Sequence, residues 1–232
     1  MSTVNWCEED YARSAYVAEW YNTLSSVAII SGGFLGLILY PPADRSVFHA
    51  LTVVGVGSVL FHATLTAWAQ MLDEIPMLLV IHDLMINICP PLQARGHLLR
   101  RFGVALSIAL AVTAQCKAFF GAFEFYLFQG TFIILCGSFA VYTGLMWYRS
   151  DTRLTKAAKG NFTRGATLFL GGWVMWLTEQ SCCTYIKEYN IPVQLHAVWH
   201  LLSAAGAYFL CVYSIQVKNH SDTAFLHHIK VV

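Results

Sequence analysis

Seven apolar segments, separated by short polar stretches, follow one another along almost the whole chain. They cover residues 20–40, 46–66, 72–90, 99–119, 123–148, 164–183 and 194–217. Each is close to or above the ~20 residues that an α-helix needs to cross a bilayer. The pattern predicts an all-α polytopic membrane protein, a seven-transmembrane helix bundle. The fourth segment is the weakest, because Gln115, Lys117 and Glu124 crowd its end.

Composition supports this reading. Hydrophobic residues make up 57% of the 232 residues and charged residues 12%, which leaves too little polar surface for a soluble globule of this length. The net charge of +1 gives no indication of nucleic-acid binding. The seven cysteines show no CxxC spacing, which argues against a thiolate zinc ribbon. With no repeat and no long linker, residues 1–232 are expected to form a single domain.

The basic residues are distributed unevenly between the loops. With the tail (residues 218–232) in the cytosol, the cytosolic segments contain Arg45, Arg95, Arg100, Arg101, Arg149, Arg153, Lys156, Lys159, Arg164, Lys218 and Lys230. The opposite side holds Arg13, Lys117 and Lys187. The positive-inside rule therefore predicts a lumenal or extracellular N-terminus, residues 1–19. Residues 1–18 lack a basic stretch followed by an apolar one, so we expect no cleaved signal peptide.

Several side chains that could carry chemistry lie inside or beside the apolar segments. They are Ser58, His62 and Asp73 in the stretch 57–74, and His196 and His200 at the start of the last segment. Ionisable groups are costly in hydrocarbon and by default mark a site. Residues four apart share one face of a helix. In the predicted topology all of these residues lie at one depth, on the N-terminal side of the membrane.

Three histidines at one depth indicate a metal site. Three neutral imidazoles suit zinc and leave a fourth position open, as in catalytic zinc sites. Zinc with neutral ligands keeps its full charge and can lower the pKa of bound water toward ~7. A lone histidine more often packs inside a bundle, so His82 beside Asp83 is interpreted as interior packing or as a lining group. The others, in loops or the tail, are expected to be solvated: His49, His97, His220, His227 and His228.

Ser58 and Asp73 are the candidate catalytic residues beside these histidines. Ser58 lies one helical turn before His62, so its hydroxyl can point at the same substrate atom, although such a serine often bonds its own backbone. A carboxylate near bound water can act as general base and then as general acid, which favours Asp73. Its neighbour Glu74 is expected to face elsewhere on the helix.

The polar N-terminus is acidic. Asn5, Trp6, Cys7, Glu8, Glu9 and Asp10 follow one another, and Glu19 stands at the start of the first apolar segment. The stretch reads either as a solvated acidic cap or as a calcium site, because calcium prefers six to eight oxygen ligands. It is not an EF-hand, since the glycine and the closing glutamate of that loop are missing.

Four motifs carry a family resemblance. NWCEEDY, AEWYN, GSVLFHATLTAWAQMLDEIPM and HAVWH resemble the signatures of the alkaline ceramidases. These are seven-span members of a superfamily of membrane hydrolases that also contains the adiponectin and progestin receptors and the lipid-remodelling factors for GPI anchors. The resemblance runs over nearly the whole chain. It implies hydrolysis of the ceramide amide to sphingosine and a fatty acid, in the endoplasmic reticulum or Golgi membrane.

The resemblance also implies roles for individual residues. It places zinc on His62, His196 and His200, with Ser58 polarising the scissile carbonyl and Asp73 acting as acid and base. It places calcium on Asn5, the carbonyl of Trp6, Glu8, Asp10 and Glu19. The family commonly shows Asp where this chain has Asn5, and often Asn where it has Asp10, so the number of carboxylates is unchanged. It further suggests a disulfide between Cys7 and Cys183, with Cys182 as an alternative partner.

Two other classes of protein fit the same sequence. One is a seven-span receptor of the adiponectin or progestin type, although Ser58 and Asp73 beside three histidines argue against it. The other is an ester hydrolase acting on phospholipid or GPI lipid. The apolar walls imply a substrate with long acyl chains that enters from the bilayer, but they do not identify its head group.

The predicted topology makes a simple test available. Two glycosylation sequons begin at Asn161 and Asn219, both on the predicted cytosolic side. Neither should carry a glycan when the chain is expressed in eukaryotic cells, because cytosolic segments do not meet the glycosylation machinery. A gel-mobility shift after glycosidase treatment checks this. A glycan on either asparagine would show that the predicted orientation is wrong.

Overall fold

A computed structural model describes residues 4, 6–93, 98, 123–189 and 191–229, and the regular elements among them are all helical. The helices, numbered here in chain order, are α1 (Trp20–Leu39), α2 (Ser46–Thr64), α3 (Ala67–Ile88), α4 (Pro90–Gln93), α5 (Phe123–Tyr148), α6 (Lys156–Glu188) and α7 (Leu195–Ile229). A single 3₁₀ turn, Pro42–Asp44, joins α1 to α2. The predicted all-α class is confirmed. The fourth predicted span, 99–119, lies outside the described residues.

Among the described helices, four are long and apolar enough to cross a membrane. They are α1, α2, Tyr126–Tyr148 within α5 and Leu195–His220 within α7. Helix α3 is less apolar because it carries Asp73, Glu74 and Asp83. Helix α6 alternates its apolar residues with glycine, threonine and charged side chains. The described part of the chain thus has the helices of a membrane protein. Its four candidate spans do not confirm the predicted count of seven.

Three helices are longer than the apolar segments that predicted them. Helix α3 begins at Ala67 rather than at residue 72. Helix α6 begins at Lys156 rather than near 164, because Thr155 accepts a hydrogen bond from the N–H of Ala158 and so caps an earlier start. Helix α7 continues to Ile229, through most of the predicted tail. Hydropathy marks the part of a helix that suits lipid, while the backbone hydrogen bonds extend beyond it into polar residues.

The helices divide the molecule into an apolar end and a polar end. Phe48 at the start of α2, Ile88 at the end of α3 and Tyr213 late in α7 belong to one buried cluster. The opposite end carries the end of α2 and the starts of α3 and α7, where the candidate residues lie. Helix α1 packs on α2 and α7, α2 packs on α3, and α6 packs along α7.

A tight turn and a close helix contact set the geometry between α2 and α3. Leu65 adopts the left-handed region, with φ of 47°, and its N–H donates to the carbonyl of Phe61 at 2.7 Å. This ends α2 and lets α3 begin after Thr66. At Gly57 the helices approach so closely that a Cβ atom would overlap the Leu72 carbonyl and lie 2.6 Å from the Asp73 nitrogen.

Substituting Gly57 tests this contact. Gly57→Ala should separate α2 from α3 and lower the free energy of unfolding by about 1–3 kcal/mol, the usual cost of overpacking. Gly171→Ala is the matched control, since a Cβ there would meet no described atom outside its own helix. Alanine also favours a helix by ~1 kcal/mol over glycine, so the control should be neutral or stabilising. Equal thermal stability of the two purified variants would contradict the contact.

Candidate metal and catalytic site

Three histidines meet in the interior at the polar end of the bundle. His62, His196 and His200 are all buried, and their ligand atoms lie within 4.8 Å of one another. Their ring centroids are 4.5–5.0 Å apart. In the described part of the chain they are the group of His, Cys, Asp or Glu side chains compact enough to hold a metal ion.

Hydrogen bonds orient two of the three rings. His62 donates from Nδ1 to Oε2 of Glu19 at 2.5 Å. His200 donates from Nδ1 to the hydroxyl of Ser25 at 2.8 Å, because that hydroxyl itself donates to the carbonyl of Asn22. A partner on Nδ1 fixes the tautomer and leaves Nε2 as the free nitrogen, the arrangement usual for histidines that bind metal.

Two imidazole nitrogens are left over. Among the described residues, Nε2 of His62 and Nδ1 of His196 are buried and have no hydrogen-bond partner. A buried polar atom without a partner costs about 1–3 kcal/mol. A metal ion would remove this cost, and three imidazoles with an open fourth position fit zinc. The donor set of this chain therefore fits the predicted zinc ion.

The fold explains why the histidines meet. His62 lies in the last turn of α2, while His196 and His200 occupy the first two turns of α7, on one face. Helix α7 is held at its start by Glu179 of α6, whose Oε2 accepts the N–H of His196 at 2.5 Å. The ring of Trp6 stacks on His196, with 4.2 Å between the ring centroids.

Ser58 and Asp73 lie beside the histidines. The Ser58 hydroxyl is 2.9 Å from that of Ser26, which also lies 3.3 Å from Nδ1 of His200. The carboxylate of Asp73 is in hydrogen-bonding contact with Ser58. The structure thus brings together the five residues that the sequence grouped by depth.

Glu74, the neighbour of Asp73, is expected to face elsewhere on the helix. It is buried and accepts a hydrogen bond from the side-chain amide of Gln70 at 3.0 Å. Both carboxylates line the same cavity. Adjacent side chains of a helix point about 100° apart around its axis, and a broad cavity can be lined by both of them.

The cavity extends from this site into the apolar part of the bundle. Its volume is about 240 Å³. The polar end contains Ser58, Asp73, His196 and His200, and the remainder is mostly aromatic and aliphatic, including Phe132, Phe139, Phe162, Phe169 and Trp173. Such a shape suits a molecule with one polar group and a long apolar chain.

The acidic N-terminal residues are folded against the start of α1. Glu8 accepts the N–H groups of Tyr21 and Asn22 at 2.7 and 2.9 Å, and so caps the helix. Glu19 accepts the N–H of Trp6 at 3.2 Å as well as the proton of His62. Burial raises the pKa of Glu19 to about 7 and also raises the pKa of Glu8, and the carboxylates repel one another.

The predicted calcium ligands are only partly gathered. Asp10 is exposed and interacts electrostatically with Glu19, while Asn5 lies outside the described residues. The carboxylates of Glu8 and Glu19 already accept protein N–H groups. Two oxygens per carboxylate leave further lone pairs for a cation, so this donor set fits calcium less completely than the histidines fit zinc.

A disulfide fastens the N-terminal segment to α6. Cys7 is bonded to Cys183, with 5.4 Å between their Cα atoms. Cys182, the alternative partner, is a free and exposed thiol. Because Trp6 precedes Cys7, this bond keeps the indole ring close to His196.

Other positions that the sequence singled out lie outside this site, and some residues that contact the site were not predicted. His49 and His220 are exposed, Asp83 is buried, and His97 lies outside the described residues. Sequence reasoning missed Ser25, Ser26 and Glu179. Glu179 could have been found, because it is the one carboxylate within the apolar segment 164–183, where a charged residue is costly.

Comparison with known proteins agrees with this geometry. A family model described as Ceramidase matches residues 1–229. The chain is 30% identical to alkaline ceramidase YPC1 of Saccharomyces cerevisiae, over 91% of this chain and 75% of the yeast protein. It is 32% identical to the putative alkaline ceramidase dcd3B of Dictyostelium discoideum (90% and 84%) and 27% identical to alkaline ceramidase 3 of Mus musculus (94% and 84%).

Proposed function

This chain belongs to the ceramidase family, and we propose that it hydrolyses the amide bond of ceramide to release sphingosine and a fatty acid. One observation carries the proposal beyond the family. Three buried histidines, two of them with a nitrogen that has no partner among the described residues, lie beside Ser58 and Asp73 at the polar end of one apolar cavity. That arrangement suits hydrolysis of a lipid at a metal site.

Zinc is the metal that we assign to His62, His196 and His200. When bound, it would supply a Lewis acid for the scissile carbonyl and lower the pKa of a bound water. Magnesium and calcium prefer oxygen ligands, so three imidazoles disfavour them. The partners of His62 and His200, Glu19 and Ser25, support this assignment because they hold each ring by its other nitrogen.

Asp73 transfers the proton, and Ser58 stabilises the negative charge that develops on the carbonyl oxygen. Asp73 takes a proton from the attacking water as the water oxygen bonds to the carbonyl carbon. Ser58 donates a hydrogen bond to the carbonyl oxygen as negative charge develops there. Asp73 then delivers its proton to the amide nitrogen as the carbon–nitrogen bond breaks, so that sphingosine leaves as an amine and the acyl chain as a carboxylic acid.

The cavity supports a substrate taken from the bilayer. Its apolar walls can cover a hydrocarbon chain while the amide group lies near the histidines. This excludes bulk water from the reacting atoms, which strengthens the electrostatic interactions there. We therefore expect ceramide to enter from the lipid, with membrane lipids as the other partners of the protein.

Calcium is proposed as a structural and activating ion bound by Asn5, the Trp6 carbonyl, Glu8, Asp10 and Glu19. Glu8, Asp10 and Glu19 repel one another, which supports a cation between them. Among the described residues, Lys187 offsets part of the charge of Glu19. Glu19 also touches His62. An ion at this place would hold the N-terminal segment against the helices that carry the zinc ligands.

Topology and location complete the proposal. We place the N-terminus in the lumen and the C-terminus in the cytosol, in the endoplasmic reticulum or Golgi membrane. The distribution of basic residues supports this orientation. The disulfide between Cys7 and Cys183 supports it too, because such bonds persist on the oxidising side of a membrane.

The substrate class can be tested with purified protein in detergent. Ceramide should be cleaved to sphingosine and fatty acid, while phospholipid and GPI-lipid analogues of equal acyl length should remain intact. A zinc chelator should abolish the activity and added zinc should restore it. Mass spectrometry of the products decides the question. Release of fatty acid from phospholipid alone would replace the ceramidase proposal with an ester hydrolase.

Substitutions of Asp73 and Ser58 should lower the rate of hydrolysis to different extents. Asp73→Asn keeps the shape but cannot carry a proton, so it should bind zinc and turn over almost nothing. Ser58→Ala removes one donor to the oxyanion, which typically costs on the order of 100- to 1,000-fold in rate. Both variants should retain zinc, as measured by elemental analysis beside initial rates. Near wild-type hydrolysis by Asp73→Asn would remove the aspartate from the mechanism.

The two metal sites can be separated by variants of the N-terminal segment. Asp10→Asn should weaken the calcium response of thermal stability and leave the zinc content unchanged. Glu19→Ala should lose that response and also weaken zinc binding, by about 10- to 100-fold, because His62 loses its partner. Glu9→Gln is the control, an exposed carboxylate outside the proposed ligand set. An unchanged calcium response in all three variants would contradict a calcium site here.

A further inference from the structure

Glu179 is a buried carboxylate to which the proposed chemistry gives no role. It lies on α6 with 3% of its surface exposed. No basic side chain pairs with it in the described contacts, and its two oxygens instead accept backbone N–H groups of two other segments. A carboxylate buried in this way is costly unless it is satisfied, so its contacts indicate what it contributes.

The first contact holds the start of α7. That helix begins at Leu195, so the N–H of His196 has no carbonyl partner within its own helix. Oε2 of Glu179 accepts this N–H at 2.5 Å. A negative charge at a helix N-terminus is also favoured by the helix dipole. The first two turns of α7, which carry His196 and His200, are therefore anchored to α6.

The second contact holds the N-terminal segment. Oε1 of Glu179 accepts the N–H of Cys7 at 3.3 Å. Cys183, one turn later on the same face of α6, is bonded to the sulfur of Cys7. Residue 7 is thus held by its backbone and by its side chain. The adjacent Trp6 stacks on the ring of His196 at 4.2 Å.

The two contacts act on the same histidine. One fixes the backbone of His196, and the other fixes the segment whose indole covers its ring. Nδ1 of His196 is one of the two buried imidazole nitrogens without a partner among the described residues. Its direction depends on both the backbone and the ring, and the carboxylate of Glu179 contacts both segments that hold them.

We propose that Glu179 is a positioning residue for the metal site, which sets the direction of the His196 ring through the N–H groups of His196 and Cys7. The inference rests on the proposed function, because it takes His62, His196 and His200 as metal ligands. If Glu179 served stability alone, its loss would lower the melting temperature without changing the metal bound by the folded protein.

The Glu179→Gln variant tests whether one accepting oxygen at this position is enough or whether two are needed. Its single carbonyl oxygen can accept one N–H, while its NH₂ group opposes the other. Glu179→Gln should therefore fall between wild type and Glu179→Ala. Glu188, the exposed last residue of the same helix, offers the matched control, since Glu188→Ala makes the same chemical change at a surface position.

The experiment is a Co²⁺ titration of the metal-stripped, full-length protein, followed by its visible absorption. Cobalt reports ligand geometry without any lipid substrate. We expect Glu179→Ala to bind Co²⁺ about 10- to 100-fold more weakly than wild type, as is typical when a partner of a metal ligand is lost. Its absorption bands should shift, Glu179→Gln should be intermediate, and Glu188→Ala should match wild type.

The outcomes are separable from those of the proposed function. Affinity and spectrum of Glu179→Ala within twofold of wild type would overturn the inference while the metal site stands. An equal loss in Glu188→Ala would also overturn it. A wild-type protein that binds no cobalt would overturn the metal site itself and this inference with it. Where Glu179→Ala fails to fold, an unchanged Glu179→Gln titration overturns the inference just as directly.

Discussion

Polar atoms buried inside an apolar helix bundle must find partners, and this requirement organises the polar end of the molecule. Glu19 satisfies His62, Ser25 satisfies His200, and Glu179 satisfies the backbone of His196. Each partner comes from a different helix or segment from the histidine that it holds. Once these pairs are formed, Nε2 of His62 and Nδ1 of His196 have no partner among the described residues, and the three histidines offer ligand atoms within 4.8 Å of one another. A site of this kind is defined by what the surrounding hydrogen bonds leave unsatisfied.

The rest of the fold separates this polar end from an apolar one. Side chains such as Phe48 and Tyr213 fill the far half of the bundle with a buried apolar cluster, and polar contacts such as Asn87 with Ser214 join the helices there as well. The cavity runs between the two halves, so a lipid chain can lie in the apolar part while its polar group reaches Ser58 and Asp73. The close approach at Gly57 brings α3 against α2 and places Asp73 beside Ser58. Fold and chemistry therefore depend on the same helix contacts.

The sequence predicted the described long helices, and its five candidate residues lie close together in the structure, because both leave local signals. Apolar length marks a span, and His, Asp or Ser in such a span stands out against the apolar background. The start of α3 and the ends of α6 and α7 were misplaced because hydrogen bonding continues beyond the apolar residues. Ser25 was missed because its importance comes from a contact 175 residues away in the chain. Glu179 stands out as a carboxylate in an apolar segment, but its contact with His196, 17 residues away, leaves no sign there. Spacing along one helix contains no information on such partners.

Zinc content and ceramide hydrolysis, measured on the same preparations of wild type and His200→Ala, test the central claim most directly. The account predicts about one zinc ion per wild-type chain, and loss of zinc and activity together in His200→Ala, because two imidazoles bind zinc far more weakly than three. The detergent-purified variant should keep a helical circular-dichroism spectrum, which shows that the loss is local. A zinc-free His200→Ala protein that cleaves ceramide at the wild-type rate would contradict the account.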